Sequence, residues 1–222
     1  MEKIFSIALD GPSGSGKSTI AKALSKKLDI LYLDTGAMYR ATALKAIKCN
    51  IDSFDAKGVD TFINDIDLEI KYIDGTQHTI LDGEDVSDKI REPHVSMAAS
   101  NISSLKNVRL KMVDMQRKIA SNISCVLDGR DIGSYVLPNA DFKFYITASV
   151  EERTNRRYAE LKAKGHEVDY EKLKQEIEQR DYNDKNRDFS PLVQAEDAIY
   201  IDTTKMNIEQ VCAKVLSYVE KR

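Results

Sequence analysis

The sequence has few cysteines, and none of them lies close to another. Cys49, Cys125 and Cys212 are isolated, and no CxxC pair occurs. This spacing excludes a disulfide framework and a zinc site built on cysteine pairs. The three histidines are also scattered along the chain, so they do not form a candidate metal cluster. We expect the cysteines to be packing residues or unreactive thiols.

The sequence also lacks an excess of positive charge. Lysine and arginine together number 33 against 36 acidic residues, which gives a net charge of −3. A chain of this charge has no general positive field with which to hold nucleic acid or an anionic membrane. We therefore expect neither as a partner, and any anionic ligand must be bound by a local site.

Long apolar runs are absent. No run approaches the roughly 20 residues that a membrane-spanning helix needs. In "MEKIFSIALDG" the apolar part is too short for a signal peptide and glycine follows too soon. We expect a cytoplasmic protein. With 222 residues, 42% of them hydrophobic, the chain is long enough to bury the core of one large domain, with or without inserts.

Short apolar runs alternate with helical patterns along most of the chain. Five runs are candidate strands, namely "KIFSIAL", "ILYL", "ISCVLD", "FKFYIT" and "AIYID". Nearly continuous apolar strands are typical of parallel sheets that are buried on both faces. The alternation predicts an α/β fold with a five-stranded parallel sheet and helices on both faces.

One stretch interrupts this alternation. "LEIKYIDGTQHTILDGEDVS" contains three strand-like pieces separated by Asp74-Gly75 and Asp82-Gly83. Asp-Gly between β-forming residues is a strong hairpin signal. The stretch predicts a small antiparallel β insert.

A glycine-rich segment follows the first predicted strand. In "ALDGPSGSGKSTIAKAL", Gly11, Gly16, Lys17 and Ser18 fit the pattern GxxxxGK[ST] between a strand and an amphipathic helix. Glycines let backbone amides point at phosphate oxygens, and Lys17, an exposed loop cation, reaches the terminal phosphates. The pattern predicts an ATP-phosphate loop that consists of Gly11, Pro12, Ser13, Gly14, Ser15, Gly16, Lys17, Ser18 and Thr19.

Two further polar stretches follow the second and third predicted strands. These are "LDTGAMYRAT", with Thr35, Tyr39 and Arg40, and "LDGRDIGS", with Asp128, Arg130 and Asp131. Ligands of open α/β sheets bind at the carboxyl ends of the strands, where both stretches are predicted to lie. The hydroxyl of Ser18 and the carboxylate of Asp128 are oxygen ligands of the kind that Mg²⁺ prefers.

A helix near the C-terminus has an apolar stripe that becomes charged. In "YEKLKQEIEQRDYNDKNRDF" the stripe comprises Tyr170, Leu173, Ile177, Arg180, Asp184 and Arg187. Amphipathic helices normally keep this face apolar throughout. We expect the charged end to point inward, with the two arginines holding the carboxylate. The alternative is a surface ion pair between Arg180 and Asp184, worth ~0.3–0.5 kcal/mol.

Together these motifs resemble those of bacterial cytidylate kinases. The stretches "GPSGSGKST", "DTGAMYR", "LDGEDVS", "LDGRDIGS" and "RDYNDKNRDFSPL" occur in that family's order, and they span essentially the whole chain. Guanylate kinases have a similar phosphate loop, so the β insert and "RDYNDKNR" are the discriminating parts. The resemblance implies a monomeric kinase of the P-loop NTPase fold that uses ATP, Mg²⁺ and CMP or dCMP.

The resemblance also implies which residues bind the acceptor nucleotide. They are Thr35, Tyr39, Arg40, Ser100, Arg109, Arg130, Asp131, Arg180, Asp184 and Arg187. Of these, Arg40 and Arg130 would lie near the acceptor phosphate. Arg180 and Asp184 would lie at the sugar, with Arg187 close by. Around the cytosine the resemblance places Ser100, Arg109 and Asp131. An arginine offers only donors, which suits N3 and O2 of cytosine but not the N3–H of uracil.

Arginines are concentrated in residues 151–188, which we expect to form a helical lid. Five of the eleven arginines fall within residues 153–187, and Arg153, Arg156 and Arg157 share one helical face. They could cover the phosphates and exclude water, or they could pair with neighbouring glutamates on a solvated face. The acceptor phosphate needs no general base, because its second pKa is about 6. Catalysis is therefore expected from Lys17, Arg130, Arg153 and Arg156 with Mg²⁺.

We expect one kinase domain over residues 1–222. It comprises a core of residues 1–62, 92–150 and 189–222, an acceptor-binding insert at about 63–91, and a helical lid at about 151–188. Two alternatives remain open at this point. The acceptor could be another nucleoside monophosphate, such as UMP, or the chain could be a regulatory P-loop NTPase.

Overall fold

Residues 4–220 are described by a computed structural model of the chain. They fall into two compact units, which we call the core unit and the inserted unit. The core unit comprises residues 4–32 and 123–220, and the inserted unit comprises residues 33–122. The division into core, β insert and lid expected from the sequence stays a prediction.

Eight strands and eight α-helices are present in the described chain. The strands are β1 (Ser6–Asp10), β2 (Leu31–Asp34), β3 (Leu68–Ile73), β4 (Thr76–Leu81), β5 (Glu84–Asp85), β6 (Cys125–Gly129), β7 (Phe142–Thr147) and β8 (Ile199–Asp202). The helices are α1 (Lys17–Leu28), α2 (Thr35–Lys48), α3 (Ala56–Asp60), α4 (Pro93–Ile102), α5 (Lys106–Ala120), α6 (Val150–Ala163), α7 (Tyr170–Asn186) and α8 (Ile208–Val219). A short 3₁₀-helix (Lys89–Arg91) and a π-helix (Ile132–Val136) complete the fold.

Five strands form one parallel sheet in the order β2-β6-β1-β7-β8. The middle strand β1 is apolar and fully buried at Ile7, Ala8 and Leu9, as expected for a strand covered on both faces. Helices α1 and α8 contribute Leu24 and Val215 to the same hydrophobic core. The predicted five-stranded parallel sheet with helices is confirmed.

The three strands of the inserted unit form a second, antiparallel sheet in the order β3-β4-β5. Its two turns are Asp74-Gly75 and Asp82-Gly83, in which all four residues have positive φ. Aspartate and glycine tolerate this conformation, which is the one that a tight hairpin turn requires. The predicted antiparallel insert is confirmed.

Helix α7 buries part of the stripe predicted from the sequence. Leu173 and Ile177 are buried, and burial continues at Asp181 and Asp184. The helix ends at Asn186, because Arg187 has an extended backbone with φ −67° and ψ 143°. The prediction that the helical face continues to Arg187 is therefore wrong.

Within residues 4–220, no helix has both the length and the apolar composition needed to cross a membrane.

Candidate active site

The phosphate loop connects β1 to α1, and its glycines adopt backbone conformations that other residues rarely adopt. Gly11, Gly14 and Gly16 have φ of 143°, 76° and 89°. A Cβ on Gly11 would lie 1.9 Å from the carbonyl oxygen of Ile146. Gly16 precedes α1 and has no side chain to cap it. The first N–H groups of α1 are therefore available to an anion.

The side chain of Lys17 folds back onto the loop. Its Nζ donates to the carbonyl oxygen of Pro12 at 2.6 Å and to Ser15 Oγ at 3.2 Å. Lys17 is only 4% exposed, so the expectation of an exposed loop cation is wrong. Burial, followed by the charge of Arg130, holds the pKa of Lys17 well below its usual range. A phosphate beside Nζ would favour the charged form again.

The two residues predicted to hold magnesium contact each other. Ser18 Oγ donates to Asp128 Oδ2 at 2.7 Å, and the hydroxyl of Tyr32 donates to Asp128 Oδ1 at 2.9 Å. No group of three or more acidic, histidine or cysteine residues that could hold a metal occurs within residues 4–220. Mg²⁺ bound to nucleotide phosphates needs only one or two protein oxygens, so Ser18 and Asp128 fit this ion.

The charged end of the α7 stripe meets Arg130, which follows β6. Nε of Arg130 donates to Asp184 Oδ2 at 2.8 Å, and Asp184 is buried. Burial would raise the pKa of Asp184, but the charges of Arg130 and Arg180 outweigh it and lower the pKa below its usual value. The alternative of a surface pair between Arg180 and Asp184 is therefore wrong.

Arg187 and Asp131 lie beside this pair. Nη2 of Arg187 is 3.7 Å from Asp131 Oδ1, and its Nη1 is 4.0 Å from Asp184 Oδ1. Nε of Arg187 donates to the carbonyl oxygen of Ser190 at 2.6 Å. The hydroxyl of Ser190 donates to Asp131. Within the core unit, the structure thus brings together the predicted residues Arg130, Asp131, Asp184 and Arg187.

The three lid arginines have different surroundings. Arg153 is buried and donates to the carbonyl oxygen of Ser13 in the phosphate loop at 3.1 Å. Arg156 is half-buried, and it donates to Glu152 at 2.8 Å and to the carbonyl oxygen of Thr203 at 2.9 Å. Arg157 pairs with a glutamate of its own helix. The catalytic roles expected for Arg153 and Arg156 stay predictions.

In the inserted unit, Arg40 is held at the start of α2. Asp34 caps this helix, since its Oδ1 accepts from the backbone N–H of Ala37 at 2.9 Å. Oδ2 of Asp34 accepts from Nη2 of Arg40 at 2.8 Å. A Cβ on Gly36 would lie 2.9 Å from Nη1 of Arg40. The glycine thus lets the guanidinium fold back toward the helix start. Thr35 is buried at the first position of α2.

Gln77 of β4 binds the backbone of the same capping residue from the other side. Its Oε1 accepts from the N–H of Asp34 at 2.7 Å, and its Nε2 donates to the carbonyl oxygen of Asp34 at 3.3 Å. The amide therefore satisfies both backbone groups of Asp34, as a neighbouring strand would. This contact links the antiparallel sheet to the start of α2.

Arg109 and Tyr39 form a second group in the inserted unit. The guanidinium carbon of Arg109 lies 5.4 Å from the ring centroid of Tyr39, within cation–π distance. Nη1 of Arg109 donates to the carbonyl oxygen of Ser103 at 3.2 Å, and the residue is 1% exposed. Ser100 is half-buried on α4. A buried arginine over an aromatic ring is a rigid, donor-rich surface of the kind expected for reading cytosine.

Known proteins resemble this chain over nearly its whole length. The family model described as cytidylate kinase matches residues 7–221. A cytidylate kinase of Caldicellulosiruptor bescii is 52% identical over 221 residues, which cover 100% of this chain and 97% of the relative. One from Clostridium perfringens is 45% identical and covers both chains completely. The chain belongs to the cytidylate kinase family. It is a phosphotransferase.

Solved structures show the same fold in other kinases. The shikimate kinase of Bacteroides thetaiotaomicron has a TM-score of 0.51 at 12% identity, with 98% of this chain and 99% of that chain covered. The shikimate kinase of Acinetobacter baumannii, in complex with shikimate, has a TM-score of 0.50 at 17% identity, with 99% and 95% covered. At such low identity the likeness concerns the fold alone. The match to the cytidylate kinase family distinguishes the chain from these kinases of the same fold.

Sequence reasoning missed three residues around these groups. Asp10 ends β1 and accepts the backbone N–H groups of Ile132 and Gly133, each at 2.7 Å. Burial raises the pKa of Asp10 to about 7. Asp181 pairs with Arg153. It lies four residues beyond Ile177, so its helical spacing was a signal. For Gln77 the local sequence holds no such signal.

Proposed function

We propose that this member of the cytidylate kinase family transfers the γ-phosphoryl group of ATP to CMP or dCMP. The products are ADP and CDP or dCDP. The observation that carries the proposal is the fully formed phosphate loop, residues 11–19, in a chain that matches cytidylate kinases over its whole length. A phosphate oxygen of the acceptor attacks the γ-phosphorus, and the bond from that phosphorus to the oxygen of the β-phosphate breaks.

On the donor side, the glycine-rich loop and the start of α1 bind the ATP phosphates through backbone N–H groups. Lys17 leaves Pro12 and reaches the terminal phosphates, where it neutralises the charge that develops during transfer. Nζ already donates to Pro12 and to Ser15, so the ammonium group is held within the loop. Phosphate oxygens would take the place of these two oxygen acceptors.

Magnesium, when bound with ATP, would neutralise part of the negative charge of the phosphates. Ser18 and Asp128 are the residues that would hold it. Their mutual hydrogen bond of 2.7 Å keeps a hydroxyl and a carboxylate oxygen together at the start of α1. Tyr32 holds the other oxygen of the carboxylate, which limits the rotation of Asp128.

We assign the acceptor to the residues expected from the family resemblance. In the inserted unit they are Thr35, Tyr39, Arg40, Ser100 and Arg109. In the core unit they are Arg130, Asp131, Arg180, Asp184 and Arg187. Arg40 and Arg130 are proposed to bind the acceptor phosphate, Arg109 the cytosine, and Asp184 a ribose hydroxyl. Arg130 and Arg156 are further proposed to stabilise the charge of the transferred group.

A coupled assay of ADP release with a panel of acceptors tests the proposal. CMP and dCMP should support turnover. For UMP, AMP and dGMP, kcat/KM should be lower by about 10⁴-fold if a buried donor reads the base. A reaction without acceptor is the control for ATP hydrolysis. Hydrolysis that does not depend on acceptor would instead indicate a regulatory NTPase, and a preference for UMP would indicate a different monophosphate kinase. The monomeric state and the cytoplasmic location stay predictions.

A further inference from the structure

The guanidinium of Arg153 contacts other parts of the protein. Three of its N–H groups are directed inward. Nε donates to the carbonyl oxygen of Ala148 at 3.0 Å, Nη1 to that of Ser13 at 3.1 Å, and Nη2 to Asp181 Oδ2 at 2.5 Å. The residue is 3% exposed. The side chain is enclosed by protein, so it contacts the phosphate loop rather than solvent.

The backbone of α6 also touches the loop at this point. A Cβ on Gly14 would lie 3.2 Å from the Cβ of Arg153 and 3.3 Å from its carbonyl oxygen. Gly14 has a φ of 76°, a conformation that side chains other than glycine rarely adopt. The hydrogen bond to Ser13 and the close contact at Gly14 thus hold two consecutive residues of the phosphate loop against α6.

Asp181 fixes the guanidinium from α7. It is buried, and its Oδ2 is the acceptor for Arg153, whereas its Oδ1 has no hydrogen-bond partner among residues 4–220. A buried carboxylate with one unsatisfied oxygen depends strongly on its single cationic partner. The orientation of Arg153, and with it the hydrogen bond to Ser13, therefore depends on Asp181.

The same helix turn carries the acid that is proposed to bind the sugar. Asp184 lies three residues after Asp181 and accepts from Arg130, so two neighbouring acids of α7 hold two different arginines. The charge of Asp181 also acts on Arg130. Burial opposes the charge of that guanidinium, but Asp184, Asp128 and Asp181 together raise its pKa. One turn of α7 thus connects to the phosphate loop on one side and to Arg130 on the other.

We propose that Asp181 is a positioning residue for the phosphoryl donor. Asp181 acts through Arg153, which holds residues 13 and 14 of the phosphate loop. Arg153 is then a positioning residue as well, rather than a group that contacts the transferred phosphate. This inference rests on the proposed function in that the loop binds ATP, but it does not depend on which nucleotide is the acceptor.

The test compares Asp181→Asn with a matched variant, Glu160→Gln. Glu160 also pairs with an arginine, Arg157 at 2.7 Å, but both lie on α6, where Glu160 is exposed and Arg157 is partly exposed. ATP affinity is measured by equilibrium titration without acceptor, and KM is measured for ATP and CMP separately. We expect Asp181→Asn to weaken ATP binding by about ten- to hundredfold, as loss of a charged hydrogen bond does, with KM for CMP changed less than threefold. Glu160→Gln should bind ATP like the wild type.

Arg153→Lys keeps the test decisive if Asp181→Asn folds poorly, and the double variant of a folded Asp181→Asn protein tests whether both residues act through one contact. Arg153→Lys retains the charge that pairs with Asp181, but a single ammonium group cannot also reproduce the forked contacts to Ala148 and Ser13. It should fold and still lose at least fivefold in ATP affinity. In the double variant with Asp181→Asn, the two losses should not add, because both act through one contact.

Wild-type ATP affinity in a folded Arg153→Lys or Asp181→Asn protein would overturn the proposal, and so would equal increases of KM for ATP and CMP. These outcomes differ from a failure of the proposed function. A wild-type enzyme that prefers another acceptor would leave the ATP titrations unaffected, whereas a wild-type protein that does not bind ATP would refute both.

Discussion

Two buried residues near the end of β1 have shifted pKa values because burial opposes their charged forms. Burial lowers the pKa of Lys17 and raises that of Asp10. Each side chain still makes short hydrogen bonds to the backbone, Lys17 to Pro12 and Asp10 to Ile132 and Gly133. Burial therefore makes both charged forms costly in the folded protein. A substitution that removes such a charge can lower activity and still raise stability.

Lys17→Met should remove phosphoryl transfer without destabilising the fold. The loss in kcat should be at least about 10²-fold, since the ammonium group is proposed to neutralise charge in the transition state. The melting temperature should stay the same or rise, because methionine avoids the cost of burying an ammonium group. Initial rates at saturating substrates and thermal unfolding measure the two effects. Lys22→Met, at an exposed position of the same helix, is the control. A rate within tenfold of wild type would contradict the role.

Asp10 should make stability depend on pH between about 4 and 7. Its folded pKa of about 7 lies above the ordinary value of 3.8, so the folded protein binds the extra proton in this window. The contribution is complete below pH 3.8 and is lost as the pH rises through 7, by at most about 4 kcal/mol. Urea unfolding at several pH values should show wild type losing stability relative to Asp10→Asn as the pH rises. Parallel pH profiles for the two proteins would argue against this shift.

Asp184→Ala should weaken the use of CMP and also destabilise the protein. Loss of the carboxylate should reduce kcat/KM for CMP by about 2 kcal/mol or more, with ATP affinity unchanged. The buried guanidinium of Arg130 would lose its partner, which costs about 3–5 kcal/mol in unfolding free energy. Steady-state kinetics and urea unfolding test the two parts. Full efficiency toward CMP would leave Asp184 as a structural partner of Arg130 only.

The same variant reports which ribose hydroxyl is recognised. The loss in kcat/KM for dCMP should be smaller than for CMP if the 2′-hydroxyl is the partner, and equal if the 3′-hydroxyl is.

The contribution of Asp184 to stability depends on pH. Because the folded pKa of Asp184 is lowered, this contribution is present above the ordinary value of 3.8 and is lost as the pH falls through the lower folded value. The variant should therefore lose less stability than wild type below pH 4.

At the scale of elements, α7 combines an apolar anchor with charged contacts. Its first half buries Leu173 and Ile177, and its second half buries two carboxylates that hold arginines from other segments. The apolar half supplies the packing energy that keeps the charged half in place, since buried ion pairs contribute little net stability themselves. Movement of this helix would change the contacts of Arg130 and Arg153 together.

The link between β4 and α2 supports a prediction at this scale. Gln77→Leu should leave both backbone groups of Asp34 without their side-chain partner. Since Asp34 holds Arg40, the acceptor KM should rise by about three- to tenfold while the KM for ATP stays constant. Gln194→Leu, which removes an exposed amide-to-backbone contact elsewhere, is the control. An unchanged acceptor KM would show that Arg40 keeps its position without Gln77.

At the scale of the whole molecule, ligands that bind the native state raise its stability by mass action. CMP at 100 times its Kd should add about 2.7 kcal/mol to the unfolding free energy, whereas UMP should add little. In Arg109→Met the stabilisation by CMP should fall to the level of UMP, and that by ATP should persist. Arg117→Met, at an exposed site on the same helix, is the control. Equal losses for all nucleotides would assign Arg109 a structural role.

The sequence by itself determined the elements and the motif on which the function depends. Strands, the phosphate loop and the antiparallel insert follow from local properties, namely apolar runs, glycine spacing and the two Asp-Gly turns. These are patterns of near neighbours in the chain, so they can be recognised without knowledge of tertiary contacts. The motifs were also sufficient to indicate the family that the full-length match established.

Only the tertiary structure decided the partners and the protonation of the charged side chains. Asp184 pairs with Arg130, 54 residues away, and Arg153 contacts Ser13, 140 residues away. Lys17 proved to be buried, although the glycine-rich motif indicates only that it lies near phosphate. Partner choice and pKa depend on distances and burial between segments remote in sequence, which local patterns do not contain.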